Sequence, residues 1–293
     1  MIGHYICNTI MKAVRLTYKE CEEGDIGRGI SKCFDEYRNE WSRTPFELPV
    51  DNAVIKGEYI TNPQSSASRK KVALICHGLT ANRMAALKYA SIFYKLGYNL
   101  IIFDERYYGE STGEYCTLGY REKEDAKKLL AYARSVFGED AYIAVQGESM
   151  GAAISLLILD TEKPAMVIAD CPFSDTEMLL KEAAFKQAFI LGPAAVKTAR
   201  HFCIKRDNYD FRKVVPFDSV KNTDVPICFM HGKADTLINY NHSIRMHAVC
   251  KNKLSEIHLF EGADHAQSIF SNPSKYEEIM TAFIKKTEAK DNM

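Results

Sequence analysis

The sequence predicts an α/β fold in which helices cover both faces of a mainly parallel, doubly wound sheet. Three observations lead to this prediction. Strand and helix patterns alternate from residue 53 onward, as in parallel sheets joined by crossover helices. A glycine-rich turn at residues 147–151 joins a buried strand pattern to a buried helix pattern. Polar residues also directly follow three other strands, at the sheet edge where open α/β sheets place their sites.

The individual elements follow from the spacing of apolar residues. Short apolar runs predict strands at 72–76, 99–103, 142–146, 166–169, 226–230 and 256–260. Apolar positions at helical spacing predict helices at 85–96, 120–137, 152–159, 239–250 and 273–286. Gly97 and Gly138 follow two of these helices and are suited to end them.

Residues 1–45 are expected to form a helical segment that precedes the main domain, residues 46–293. Apolar residues recur every four positions, at Ile2, Ile6, Ile10, Val14 and Tyr18. This spacing predicts an amphipathic helix, and a second helix follows at 30–41. We favour packing of the segment against the main domain. Docking on a membrane surface is the alternative interpretation, since basic residues lie nearby.

The segment 174–223 interrupts the alternation of strands and helices. It separates two core strands by about 50 residues, far more than a simple crossover needs. Residues 174–177 resemble a capping box, and a helix follows with an apolar set of Met178, Leu179, Phe185 and Phe189. We expect this insertion to be a lid that presents an apolar roof to the site. An ordinary pair of surface helices is the alternative.

Residues 147–151 read Gly-Glu-Ser-Met-Gly and carry the strongest chemical signal. A serine at a sharp strand-to-helix turn exposes its hydroxyl, and the flanking glycines avoid collisions as the chain reverses. The helix N-terminus points backbone N–H groups at any oxyanion formed nearby. Because such a turn also occurs without a chemical role, Ser149 needs a base, an acid and a second oxyanion donor.

The rest of the chain offers all three. Asp235 and His265 each follow a strand end, and they come after Ser149 in the order nucleophile, acid, base. His265 is the expected base, and Asp235 would orient it. Upstream, a strand ends just before His77, Gly78 and Leu79, where the glycine allows a tight turn. The N–H of Leu79 can then join the N–H of Met150 as an oxyanion hole.

Other polar residues near these motifs are interpreted as structural. His231 precedes Asp235 and so breaks the expected order. His77 is expected to hold the oxyanion loop by hydrogen bonding, and Glu148 to pack beneath the turn. Asp264 neighbours the proposed base, but its side chain is expected to point elsewhere along the loop.

Together these motifs resemble the α/β-hydrolase family over about residues 53–286. The nearest branch is the lysophospholipase-like or serine-aminopeptidase-like group of bacterial hydrolases. Residues 104–111 resemble the family's Asp-x-Arg-Gly-x-Gly-x-Ser loop, with Tyr107 where that branch usually has Gly or Ala. Since this loop borders the site in the family, the resemblance implies that Tyr107 and Tyr108 shorten the acyl pocket.

These motifs predict a serine hydrolase that cleaves a carboxylic ester with a short to medium acyl chain. The same fold and residues also serve peptidases or amidases of small peptides, acyltransferases and non-catalytic ligand receptors, which stay as alternatives. The expected partner is a small-molecule acyl substrate. No metal or cofactor is expected.

Composition limits the remaining function classes. Lys plus Arg and Asp plus Glu both number 38, which argues against nucleic acid as the main partner. No run approaches the ~18 apolar residues that span a bilayer, and the N-terminus lacks the pattern of a signal peptide. The nine cysteines are scattered without a Cys-x-x-Cys pair, as expected for buried thiols in a reducing compartment. We therefore expect a cytoplasmic protein.

Overall fold

The computed structural model describes residues 8, 11–65, 69–187 and 192–291. Eight strands within these residues form one sheet in the order β1-β2-β4-β3-β5-β6-β7-β8. The strands are β1 (Ser42–Val50), β2 (Ala53–Thr61), β3 (Lys71–Cys76), β4 (Asn99–Phe103), β5 (Tyr142–Glu148), β6 (Met166–Asp170), β7 (Ile227–Gly232) and β8 (Glu256–Phe260).

Helices connect and cover the strands. The first ones are α1 (Tyr18–Gly27), α2 (Lys32–Asn39), α3 (Leu87–Lys95), α4 (Glu122–Phe137), α5 (Met150–Leu157) and α6 (Thr176–Gln187). They are followed by α7 (Gly192–Asp207), α8 (Pro216–Asn222), α9 (Asn241–His247), α10 (Ser268–Ser271) and α11 (Pro273–Asp291). Short 3₁₀ turns lie at Arg83–Ala86, Ile158–Asp160 and Phe211–Lys213.

The sheet confirms the predicted mainly parallel, doubly wound α/β architecture. Strands β3 to β8 pair in parallel, whereas β2 pairs antiparallel with both β1 and β4. Since β3 lies between β4 and β5, the chain crosses from one side of β3 to the other. The carboxyl ends of β3, β5, β6, β7 and β8 meet at one edge, where such sheets place their sites.

Apolar cores lie on both faces of the sheet. Because successive side chains of a strand point to opposite faces, Ile75 belongs to one core and Leu74 to the other. Helices α1, α2, α3 and α11 contribute to the first core, and α4, α5, α8 and α9 contribute to the second. Burial on both faces accounts for the continuous apolar runs of the central strands.

The insertion between β6 and β7 holds helices α6, α7 and α8. A third, smaller core joins it to the rest of the molecule. In that core Leu180 of α6 and Val196 of α7 cluster with Leu157 of α5 and with Phe173 and Ile238. The insertion is therefore packed over the carboxyl end of the sheet by its own apolar contacts.

The predicted helix running to Tyr18 needs correction. Residues 13–17 are not helical, and Val14 is 71% exposed. Helix α1 begins only after Thr17, because Thr17 and Glu20 form a capping box in which each side chain accepts a hydrogen bond from the other residue's backbone N–H. Ile2, Ile6 and Ile10 lie outside the described residues.

The sheet also begins earlier than expected. Strand β1 starts at Ser42, so the expected boundary between residues 45 and 46 falls inside a strand. Pro45 and Pro49 hide this strand in the sequence, and an edge strand tolerates them because it has one unpaired side. The second N-terminal helix, expected at 30–41, is α2. Among the described residues, no helix combines the length and apolar character needed to cross a bilayer.

Gly151→Ala should destabilise the fold by about 1–3 kcal/mol or more. A methyl group at this position would lie 2.2 Å from the carbonyl oxygen of Cys76 in β3, where only backbone could give way. The free energy of unfolding in urea measures the loss. Gly27→Ala in α1 is the matched control, because nothing lies within 4 Å of its added methyl group. Equal stability of the two variants would contradict this account of the turn.

Candidate active site

Ser149 occupies the turn between β5 and α5 in a strained backbone conformation. Its φ is 55° and its ψ is −114°, a region that costs a residue with a side chain about 1–3 kcal/mol. The flanking glycines do not have positive φ. They are required because a Cβ at Gly147 would lie 2.2 Å from the carbonyl oxygen of Gly151, and one at Gly151 would meet Cys76 equally closely. The tight packing holds the serine hydroxyl at the carboxyl edge of the sheet.

A chain of two hydrogen bonds starts at this serine. Ser149 Oγ lies 2.8 Å from Nε2 of His265, and Nδ1 of His265 lies 2.8 Å from Oδ2 of Asp235. The other oxygen of Asp235 accepts hydrogen bonds from the N–H groups of Leu237 and Ile238, at 2.9 and 2.7 Å. The carboxylate is thereby fixed, and the imidazole can take the serine proton while it donates its own N–H to Asp235.

The surroundings shift the pKa values of both partners. Burial alone would raise the pKa of Asp235, but hydrogen bonds from His231 and His265 outweigh it and hold that pKa well below its usual range. Burial alone would lower the pKa of His265, but the hydrogen bond and charge of Asp235 raise it above its ordinary value. Asp235 is therefore ionised at neutral pH, and His265 is a stronger base than a free imidazole.

Leu79 and Met150, whose N–H groups are the predicted oxyanion hole, line the same cavity as Ser149. No acceptor within the described part of the chain takes a hydrogen bond from the N–H of Leu79 or of Met150. Met150 is the first residue of α5, so its N–H also lies at the positive end of the helix. Gly78 brings the oxyanion loop close, since a Cβ there would lie 3.5 Å from Cβ of Ser149. This arrangement can stabilise a negative oxygen.

The histidines interpreted as structural have their ring nitrogens occupied. His231 lies against Ser243 Oγ at 2.8 Å and the carbonyl oxygen of Ile238 at 2.9 Å, and its Nε2 is 3.2 Å from Asp235. His77 accepts a hydrogen bond from the N–H of Glu105 through Nε2, and its Nδ1 lies 2.8 Å from the carbonyl oxygen of Gly78. His231 thus supports Asp235, and His77 supports the loop of Gly78 and Leu79.

Asp264 faces its own loop instead of the imidazole ring of His265. Its Oδ1 accepts hydrogen bonds from the N–H and hydroxyl of Thr236 and from the N–H of His265. These contacts join the loops that follow β7 and β8. Asp264 therefore shapes the path of the backbone on which His265 is carried.

A cavity of about 600 Å³ surrounds Ser149 and His265. Its walls are mostly apolar. Helix α6 and the loops beside it contribute a roof of Phe173, Leu179, Leu180, Ala183, Ala184, Leu237 and Ile238. Helix α1 and the residue before Thr17 form another wall, with Leu16, Glu20, Cys21, Gly24, Asp25 and Arg28. The cavity volume falls in the range typical of small-molecule sites.

The expectation that Tyr107 and Tyr108 shorten the pocket is corrected, because neither lines the cavity. Tyr108 is fully buried, with its ring edge-to-face against His77 at 5.8 Å. Tyr107 lies against the N-terminal segment, where its hydroxyl donates to the carbonyl oxygen of Ala13 and its ring contacts the guanidinium of Arg15. The loop at residues 104–111 therefore packs, through Tyr107, against residues that precede the sheet, and away from the cavity.

The expected contribution of Met178 and Phe185 to the pocket is also corrected. Both line a second cavity of about 290 Å³, together with Glu182 and His242, and Phe185 is 51% exposed. Helix α6 turns Leu179, Leu180, Ala183 and Ala184 toward Ser149 instead. These four positions share one face of the helix. Spacing in the sequence groups residues by helix face, but it does not tell which face points toward the cavity. Phe189 lies outside the described residues.

Sequence reasoning missed the charged residues on the cavity wall. Glu148 does not only pack beneath the turn, because its carboxylate lies 3.1 Å from the ammonium of Lys88 and lines the cavity. Lys88 in turn lies 3.5 Å from Asp25 of α1. Lys88 interrupts the mostly apolar residues 85–94, which is the signal that could have indicated a buried ion pair.

Two groups of side chains bring potential metal ligands within 4.8 Å of one another, namely Cys171 with Asp235 and His265, and Cys228 with Glu256 and His258. In the first group, the two non-cysteine ligands are hydrogen-bonded to each other. Burial raises the pKa of the Cys171 and Cys228 thiols well above the ordinary value, which disfavours the thiolate that metals bind. We assign no metal to either group.

The sequence is similar to one protein family and to several bacterial proteins. The sequence pattern of the prolyl oligopeptidase family matches residues 85–290. The chain is 27% identical over 266 residues to the uncharacterized protein YqkD of Bacillus subtilis (strain 168), covering 89% of this chain and 84% of that protein. It is 29% identical over 143 residues to the quorum-quenching protein AidA of Acinetobacter baumannii, covering 47% of each.

Solved structures show the same fold. The esterase Pf2001 of Pyrococcus furiosus superposes with a TM-score of 0.69 at 22% identity, over 86% of this chain and 95% of that one. The acylaminoacyl peptidase of Pyrococcus horikoshii superposes with a TM-score of 0.62 at 16% identity, over 88% of this chain and 43% of that one. These similarities establish the α/β-hydrolase fold.

Asp235→Asn should slow ester turnover by roughly 10⁴-fold, because an amide favours the wrong tautomer of His265. Asp264→Asn should have a much smaller effect, since Asp264 bonds only to its neighbouring loops. The measurement is kcat on a nitrophenyl ester, with circular dichroism to verify folding. The reverse ranking would transfer the role of the acid to Asp264.

The pH dependence should report the raised pKa of His265. The imidazole must be neutral to accept the serine proton, so kcat/KM should rise with pH, with a midpoint above the ordinary histidine value of about 6.5. Asp235→Asn should move the midpoint downward, because the carboxylate is what raises the pKa. A wild-type midpoint below the ordinary value, or an upward shift in the variant, would contradict this assignment.

Proposed function

The chain belongs to the prolyl oligopeptidase family and is a serine hydrolase of the α/β fold, and on this premise we propose that it cleaves carboxylic esters. Ser149, His265 and Asp235 are the proposed catalytic residues, and the N–H groups of Leu79 and Met150 are the proposed oxyanion hole. One observation carries the choice of substrate, namely the mostly apolar cavity of about 600 Å³ around Ser149.

The proposed reaction proceeds through an acyl-enzyme. Ser149 Oγ attacks the ester carbonyl carbon while His265 Nε2 removes its proton, and the carbonyl oxygen becomes negative between the two backbone N–H groups. The ester C–O bond then breaks as His265 gives the proton to the departing alcohol. Water attacks the acyl-enzyme by the same route and releases the acid. Asp235 keeps the imidazole in one tautomer and stabilises its charged form.

The insertion at 174–223 is proposed to act as the lid of this site. Support comes from Leu179, Leu180 and Ala183 of α6, which cover the cavity above Ser149. An apolar roof stabilises an acyl chain by removing it from water, at about 0.8 kcal/mol for each methylene. Because Tyr107 and Tyr108 do not narrow the cavity, the structural reason to expect only short chains is removed. We expect an optimum at medium acyl length.

A peptidase or amidase acting on small peptides is the second candidate function. The family itself favours it, since its name describes peptidases. The proposed catalytic residues would cleave an amide by the same acyl-enzyme route, and His265 would protonate a departing amine. Comparison of nitrophenyl esters with aminoacyl arylamides at equal concentration separates the two functions. Faster turnover of the arylamides would favour the peptidase.

The wild-type protein should hydrolyse nitrophenyl esters with a kcat/KM that rises several-fold per added methylene from acetate upward, until the chain fills the cavity. Leu179→Ala should flatten this rise more than it lowers the rate on acetate. Phe185→Ala is the matched control, because Phe185 belongs to α6 but lines the second cavity. A flat profile in the wild type would mean that α6 does not bind the acyl chain.

Labelling with a fluorophosphonate tests the nucleophile directly. Wild type should be labelled, and Ser149→Ala should lose both the label and the turnover, by about 10⁶-fold in kcat. A folded wild-type protein that takes no label would favour a non-catalytic receptor. Labelling without hydrolysis, followed by acyl transfer to an added alcohol, would favour an acyltransferase.

A further inference from the structure

One end of the apolar cavity carries a small group of charged side chains, three of them buried and one, Arg28, exposed. Glu148 precedes Ser149 at the end of β5, Lys88 belongs to α3, and Asp25 and Arg28 lie in or just after α1. All four residues line the cavity. The group holds two carboxylates and two cations, and the buried Asp170 lies next to it, 3.3 Å from the hydroxyl of Tyr89.

Most donors and acceptors of these four side chains already have hydrogen-bond partners within the protein. The ammonium of Lys88 lies 2.7 Å from the carbonyl oxygen of Ala85, 3.1 Å from Glu148 Oε2 and 3.5 Å from Asp25 Oδ2. Arg28 donates to the other oxygen of Asp25 at 2.7 Å. Oε2 of Glu148 also accepts a hydrogen bond of 2.6 Å from the hydroxyl of Tyr89. Lys88 thus has three acceptors for its three protons.

The second carboxylate oxygen of Glu148 is different. Glu148 is only 9% exposed, yet no donor within the described residues reaches Oε1. A methyl group at Gly78 would lie 3.3 Å from this oxygen and 3.5 Å from Cβ of Ser149, so both atoms border the same space. A carboxylate oxygen that opens only into a cavity gains from a hydrogen bond, because the rest of its side chain is removed from water.

Glu148 stays ionised in this position. Burial alone would raise its pKa, but the charge of Lys88 and the hydrogen bonds from Tyr89 and Lys88 lower the pKa below the ordinary value. Its backbone is held by pairing with Asp170 in the sheet. The acceptor is therefore charged and fixed on a strand beside the nucleophile.

We propose that Glu148 Oε1 is a substrate subsite that accepts a hydrogen bond from a hydroxyl group close to the scissile carbonyl. This inference rests on the proposed ester hydrolysis and names its substrate class, which is an ester with an apolar chain and a hydroxyl near the ester bond. The hydroxyl belongs either to the acyl chain or to the alcohol. Glu148 would be a specificity-determining residue.

The charges beside Glu148 Oε1 favour a substrate hydroxyl over a charged substrate group. A substrate carboxylate would be repelled by the free oxygen of Glu148. A substrate ammonium would lie close to the ammonium of Lys88, which is only 3.1 Å from the same carboxylate and would repel a second cation. A substrate hydroxyl donates a hydrogen bond to Glu148 Oε1 without bringing a charge into the cavity.

Matched esters test the subsite. On the acyl side, nitrophenyl esters of one chain length carry a 2- or 3-hydroxyl, a methoxy group or an amino group at the same carbon, or no substituent. On the alcohol side, 2-hydroxyethyl and 2-methoxyethyl esters of one acid are compared by acid release. The methoxy group keeps an oxygen but cannot donate a hydrogen bond.

In one of the two series, the wild-type kcat/KM should be about ten- to a hundredfold higher for the hydroxyl substrate than for the methoxy substrate, as expected for a hydrogen bond to a charged group.

Glu148→Gln provides the protein side of the test. If its amide oxygen keeps the contacts to Lys88 and Tyr89, an N–H₂ group faces the cavity where the acceptor was. The ratio of hydroxyl to methoxy substrates should then fall to about one or below, whatever happens to the overall rate. Glu182→Gln on α6 is the matched control and should keep the wild-type ratio, because Glu182 lines the second cavity.

The outcomes separate this inference from the proposed function. Hydrolysis of unsubstituted esters with a wild-type ratio near one in both series would overturn the subsite and leave the esterase intact. A preference for the amino esters would show that the subsite binds a cation instead of a hydroxyl. An unchanged ratio of hydroxyl to methoxy substrates in Glu148→Gln would show that Glu148 is not the acceptor. No turnover of any ester would overturn the proposed function, and the inference with it.

Discussion

The close packing of the turn at Ser149 is the constraint on which the rest of the site depends. Gly147 and Gly151 lie so near to backbone atoms that neither position has room for a Cβ. The close contacts of the two glycines hold Ser149 in its strained conformation. They also fix the positions of the two residues on either side of it. Glu148 borders the cavity, while Met150 offers its N–H at the start of α5. Contacts across the central strands β3 and β5 supply the rigidity that a strained residue needs.

Buried charges around this turn are stabilised by specific partners. Asp235 has two imidazoles and two backbone N–H groups around its carboxylate. Glu148 has Lys88 and the hydroxyl of Tyr89. Each carboxylate stays ionised in a largely apolar setting because these contacts offset the loss of water. The two carboxylates have different surroundings, since Asp235 contacts the imidazole of His265 and Glu148 borders the cavity.

The segment before the sheet is part of the site, although it lies outside the range that the family pattern matches. The N–H of Leu16 donates to the carbonyl oxygen of Thr80, and the side chain of Asn82 donates to the carbonyl oxygen of Leu16. These hydrogen bonds fix the loop that carries the N–H of Leu79. The backbone of this loop is strained at Thr80, whose φ is 71°. Helix α1 then continues as a cavity wall. The N-terminal segment thus links the loop of Leu79 with the charged end of the cavity.

The sequence by itself determined strands β3 to β8, their alternation with helices and the position of Ser149 between a strand and a helix, because these depend on local spacing of apolar residues and glycines. It did not indicate β1, whose prolines interrupt the strand pattern. It also indicated Asp235 and His265, since each directly follows a strand and parallel strands end at one edge. Only the tertiary structure decided which side chains line the cavity. The rotation of α6 turns Leu179 inward and Phe185 outward, and the N-terminal segment draws Tyr107 away from the site. Those outcomes depend on packing between distant segments, which local spacing does not encode.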